Sequence, residues 1–226
     1  MFNENGEAHE GILTIALKKI KNPVPMYAKK INSAWMPSKI PTQNQDVGYD
    51  LEVGDWVAPH GKGKTADFIF NIAAENRDPK RDRKCVYNIK FSNDKDGIQE
   101  YNPNKAIQSV YRWPYEAPED GYSSALEKYD IVTSDKREKN VKNDNEINYI
   151  YRVRTKTDEK GNIVETRYGK INGEIMAFTN GGIQFTYYFN PSGTRNLEFD
   201  TEKNLFIPAG AQKWKEQYRN FTGFAP

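Results

Sequence analysis

Between Ile147 and Asp200 apolar and polar positions alternate in short runs separated by turn residues, and the pattern predicts consecutive antiparallel strands. Tyr149, Tyr151, Val153 and Thr155 interleave with Ile150, Arg152 and Arg154, then Asp158 to Asn162 supplies residues that tolerate positive φ before Ile163 resumes the alternation. That predicts a hairpin. Tyr168 to Phe178, a turn at Thr179 to Gly182, Ile183 to Phe189, a turn at Asn190 to Gly193 and Leu197 to Asp200 extend it as a meander. Asp67 to Ile72 and Cys85 to Phe91 read as a second hairpin around the polar run Glu75 to Lys84, and Asn93 to Gly97 as a closing turn.

Elsewhere the pattern is weaker. Gly11 to Leu17 fits both a strand and a helix, and is assigned here as a strand. Prolines at 23, 25, 37 and 41 punctuate residues 20–48, which read as a long, partly extended connection with a short edge strand. The region from Gly97 to Tyr122 reads as an ordered but irregular loop, and the charged tract Ser134 to Glu146 as a solvated loop. Ala211, Trp214, Tyr218 and Phe221 recur at helical spacing, predicting one short amphipathic C-terminal helix. The expectation is an all-β, mainly antiparallel β-sandwich, jelly-roll-like, with that helix, forming one domain over residues 1–226 with a mobile N-terminus at about 1–10.

Composition sharpens this. Hydrophobic residues are only 37% of the 226, yet 14 Tyr, 11 Phe and 4 Trp supply enough ring surface for a core. The 33 basic and 31 acidic residues leave a net charge of +2, so no field for polyanions is expected and nucleic acid is not favoured as a partner. One cysteine, Cys85, allows neither an intrachain disulfide nor a thiol redox pair, and no run approaches the ~20 apolar residues of a membrane span. The Asn- and Tyr-rich composition favours an exported protein over a cytoplasmic one. No metal or cofactor is expected.

Candidate chemistry is sparse. Ala58 to Thr65 formally matches a relaxed phosphate loop, with Lys64 toward terminal phosphates and Thr65 toward magnesium, but the flanking strands argue for a Gly-rich turn instead. Asp94 and Asp96 imitate the start of a calcium loop, but Ser92 and Pro103 occupy positions where carboxylates are needed, so a plain turn is expected. The histidines are His9 and His60, the latter read as a turn residue. Glu198-Phe-Asp-Thr-Glu202 resembles the Glu-x-Asp-x-Glu signature of laminarinase-type retaining glycoside hydrolases. That resemblance implies a β-jelly roll with Glu198 as nucleophile, Asp200 as its support and Glu202 as acid/base; the alternative is a pair of acids on an amphipathic strand before a turn at Thr201 to Asn204.

The aromatic loop Tyr111, Arg112, Trp113, Pro114, Tyr115 with Glu116 has two uses: its rings plug one end of the fold, or they stack on sugar rings while Arg112 and Glu116 bond hydroxyls. The leading expectation is a non-catalytic, carbohydrate-directed recognition module with Tyr111, Arg112, Trp113, Tyr115 and Glu116 as ligand-binding residues. Alternatives are a retaining glycoside hydrolase using Glu198 and Asp200, and a structural or adhesive surface protein. The expected partners are accordingly a polysaccharide or a surface protein.

Overall fold

The computed structural model describes residues 19–31, 38–78, 80–102, 113–143 and 147–207. Those residues form thirteen strands: β1 (Val24–Ile31), β2 (Ser38–Lys39), β3 (Val47–Asp50), β4 (Asp55–Trp56), β5 (Phe68–Asp78), β6 (Asp82–Lys90), β7 (Gly97–Tyr101), β8 (Ala125–Val132), β9 (Arg137–Lys139), β10 (Asn148–Thr157), β11 (Ile163–Ala177), β12 (Gly182–Asn190) and β13 (Phe199–Asn204). One sheet runs β13-β1-β12-β11-β10-β7, with β2 also paired to β12, and the second runs β4-β3-β5-β6-β8-β9. All pairings are antiparallel except the parallel contact of β1 with β13. Among the described residues there is no helix, and hence none long and apolar enough to cross a membrane. The expected C-terminal helix and the Gly11–Leu17 strand lie outside the described residues.

The main core joins the two sheets. Tyr149, Tyr151, Val153, Ile171, Phe185, Tyr187 and Phe189 of the first sheet share a buried cluster with Val47, Tyr49, Phe68, Phe70, Ile72, Tyr87 and Ile89 of the second. Rings meet largely edge to face, as Phe68 does with Tyr151 at 5.0 Å, the geometry that aromatic quadrupoles favour. Period-two alternation sends Ile150, Tyr168 and Tyr188 to the opposite face of the first sheet, where they too are buried. That sheet is therefore covered on both sides, which is why β12 reads as almost continuously apolar.

Two charged groups also join the sheets. A bulge in β10 puts Arg154 at φ 57°, and its guanidinium forks onto Asp67 (2.7 and 2.9 Å) while also bonding Asp50 (3.0 Å) and Glu52. Toward the other end, Lys128 of β8 reaches Glu100 of β7 (3.0 Å) and the fully buried Glu174 of β11 (3.5 Å). Glu174 also accepts from Tyr149 Oη and from the backbone of Lys142 (2.8 Å) and Ile175 (3.0 Å). Burial and the Glu174 carboxylate push the Tyr149 phenol far above its ordinary range, so it stays protonated and donates.

The predicted hairpins β5–β6, β10–β11 and β11–β12 all form. Several expectations need correcting. The meander ends at β12: β13 passes beyond β1 and pairs with it in parallel. Strand β1 is eight residues long and interior to its sheet rather than a short edge strand, because Met26 and Ala28 bury on one face while Tyr27 packs on the other. The charged tract includes β9, paired with β8 although every side chain on it is exposed. Thr201 to Asn204 continues β13 instead of turning. The predicted irregular region from Gly97 contains β7, and β8 runs unannounced because its central core-facing residue is the lysine Lys128.

Candidate functional site

The aromatic loop divides at Pro114. Trp113 is 5% exposed, stacked on Tyr101 (centroids 5.5 Å apart, planes 18°) and packed with Ala117, Ile150, Tyr168 and Leu197. The Nζ of the buried Lys170 lies 5.1 Å from its ring centre. Trp113 thus serves as a satellite core, the first of the two uses predicted for these rings. Tyr111 and Arg112 lie outside the described residues. Tyr115 is half-buried and Glu116 exposed.

The chain after β12 holds Tyr115 and Glu116 in place. Leu197 N–H donates to Tyr115 O (2.8 Å) and Ala117 N–H to Arg195 O (2.7 Å), zipping the loop to residues 195–197. Asn190, fully buried, shapes the preceding turn: its Oδ1 accepts from Ser192 N–H (2.9 Å) and its Nδ2 donates to Thr194 O (3.1 Å) and Asn196 O (2.9 Å). Gly193 closes that turn at φ 77°, a conformation costly for any residue with a Cβ. Arg195 is aimed outward and held between Glu116 (3.0 Å) and Glu119 (3.2 Å).

The result is a groove of about 870 Å³ lined by Tyr115, Glu116, Ser192, Thr194, Arg195, Asn196 and Glu198, with Lys21, Asn22 and Val24 along one wall. Two site residues expected from sequence, Tyr115 and Glu116, therefore meet one of the expected carboxylates, Glu198, across long stretches of chain. Glu198 is committed to structure: its carboxylate accepts from Lys21 N–H (3.1 Å) and Asn22 N–H (2.8 Å). Asp200 accepts from Glu202 N–H (3.1 Å) and pairs with Lys203 (3.1 Å). Both acids thus hold the chain to itself. Arg195, Ser192, Thr194 and Asn196 were missed because nothing in an Asn-Pro-Ser-Gly turn announces a groove wall; only the density of short polar residues after a strand hints at it.

The formal phosphate loop is already occupied by protein. The N–H groups of Lys64 (2.9 Å) and Thr65 (3.0 Å) donate to one oxygen of Asp50, and Lys62 N–H donates to Asp55 (2.9 Å). No helix follows; β5 does. Burial pushes the Asp50 carboxyl up, but the backbone of Lys64, Val53 and Thr65 and the Arg154 charge outweigh it and hold the group below its usual range. The calcium-like segment is likewise a turn, with Asp96 N–H donating to Asn93 O (3.0 Å). Its Asp96 is buried and accepts from Arg154 N–H (3.0 Å) and Thr155 N–H (2.9 Å), capping the β10 bulge. His60 is exposed in a turn closed on Val57 O (3.1 Å). Among the described residues no cluster of His, Cys, Asp or Glu is arranged for a metal. Cys85 is buried, and burial together with the Asp130 charge pushes its thiol up to about 11.

The chain matches no protein-family model, no curated protein and no solved structure.

Proposed function

We propose that the protein is an exported, non-catalytic recognition module whose two sheets pack as a jelly-roll-like β-sandwich and whose groove beside Tyr115 takes a carbohydrate. The observation that carries the reading is the lining of that groove: one aromatic ring beside an Arg195–Glu116 pair, two hydroxyls and an amide. A planar ring offers an apolar face to a sugar, a guanidinium–carboxylate pair donates to and accepts from adjacent hydroxyls, and short side chains complete the hydrogen bonding without large ordering cost. Trp113 supports the loop from beneath and contributes rigidity rather than contact.

The test is a glycan-array screen of the purified protein, followed by titration of any hit by intrinsic fluorescence beside a reducing-sugar assay. Tyr115→Ala is expected to weaken binding roughly tenfold, equivalent to ~1.4 kcal/mol, with the fold intact. Turnover abolished by Glu198→Gln would instead establish the hydrolase reading. A second reading, a structural or adhesive surface protein, draws on Ile163 (40% exposed) and Val164 (64% exposed), adjacent apolar residues at the start of β11. Failure to bind any glycan favours it.

A further inference from the structure

Resting on the groove reading, we propose that residues 19–23 form a displaceable strap covering a second, polar half of the site. Ligand binding would release the strap and take over Glu198, Asn196 and the Tyr115 hydroxyl from it.

The strap is held through polar and cationic contacts. Tyr115 Oη donates to Lys19 O (2.8 Å), Lys21 Nζ stands 3.9 Å from the centre of the Tyr115 ring, and Asn196 Nδ2 donates to Asn22 O (2.6 Å). Glu198 accepts from the N–H groups of Lys21 and Asn22. Every residue from Lys19 to Pro23 is exposed, Ile20 by 61%, so the strap buries no apolar side chain of its own. The anchoring of β1 starts just beyond it, where Val24 N–H meets Glu198 O (2.8 Å) and Met26 is fully buried. The Tyr115 and Asn196 bonds to the strap are exposed and those to Glu198 only partly buried, and hydrogen bonds outside the packed core open at lower free energy than the core itself.

The groups that hold the strap are those a polyhydroxylated ligand needs. A sugar hydroxyl is both donor and acceptor: it donates to Glu198 in place of a backbone N–H and accepts from Asn196 or Tyr115 in place of a backbone carbonyl. The Tyr115 ring face now facing Lys21 becomes a stacking surface. A ligand competing with a closed strap binds with an apparent affinity reduced by the open fraction, so loosening the strap tightens binding.

The test pairs two measurements on the full chain. Amide hydrogen exchange of the unliganded protein is expected to show Lys21 and Asn22 exchanging at least a hundredfold faster than Ala28 of β1. Exchange of all three at one common rate would mean that the strap opens only with the fold, and overturns the proposal. The variant Lys21→Ala/Asn22→Pro removes the cation from the ring and one N–H from Glu198, and it is expected to bind an array-identified oligosaccharide about five- to tenfold more tightly than the parent, with unchanged Tm. Binding by both proteins with equal or lower affinity in the variant leaves the groove reading standing and overturns the strap. Binding by neither removes the groove reading, and the strap's role falls with it.

Discussion

At the scale of single residues, this protein uses carboxylates to satisfy its own backbone. Asp50 receives four N–H groups and a guanidinium, Asp96 receives two N–H groups at the bulge, and Glu198 receives two from the strap. In the sequence Asp96 imitates a calcium ligand and Glu198 resembles a catalytic carboxylate, because spacing reveals residue type but not which donor arrives from a distant part of the chain. Arg154 shows what such a network is worth. Arg154→Met would leave Asp67, fully buried, and Asp50, nearly so, without their counter-charge, and is expected to destabilise the fold by about 3–5 kcal/mol. Urea unfolding checks it: a loss under 1 kcal/mol would mean that water replaces the guanidinium at no great cost.

At the scale of elements, alternation identified the hairpins correctly wherever one face was apolar, as in β5–β6 and β10–β11. It failed where a charged residue occupies a core position, as Lys128 does in β8, and where pairing is a matter of topology, as in the crossing of β13 beyond β1. Periodicity carries no information about which strand a segment chooses. Likewise, the aromatic loop was visible as a feature but not its division at Pro114, since burial of Trp113 depends on Tyr101, Ile150 and Tyr168 from other strands. Trp113→Ala is expected to cost about 3–5 kcal/mol by emptying that cluster, measured as a fall in Tm; an unchanged Tm together with lost glycan binding would return the ring to the ligand. The β10 bulge permits a smaller test. Asp96→Ala orphans the N–H groups of Arg154 and Thr155 and is expected to cost about 1–3 kcal/mol, with faster exchange confined to those amides.

At the scale of the whole molecule, ion pairs between the two sheets and within the second make stability depend on acid. Burial pushes Asp50, Glu100 and Asp130 up, but hydrogen bonds and charges from Lys64, Lys142, Lys128, Arg137 and their neighbours outweigh it, so all three sit below their ordinary values. A lowered carboxyl contributes stability that is complete above its unfolded-state pKa, near pH 4, and is lost as pH falls through the folded-state value. Asp67 works the other way: burial raises it despite Arg154, and its contribution is lost as pH rises through that raised value. Asp46, Asp158 and Glu165, all near the surface, are lowered as well by their hydrogen bonds and, at Asp46 and Glu165, neighbouring cations, and six against one predicts a urea midpoint that falls between pH 5 and pH 3, with a shallower fall in Asp50→Asn. A flat or rising midpoint over that range would refute the assignment. The lone thiol has a practical consequence for all these experiments. Cys85, buried and protonated at neutral pH, is shielded from maleimides, so a single cysteine introduced at Val164 becomes the one addressable handle for a fluorophore or spin label without first removing the native residue.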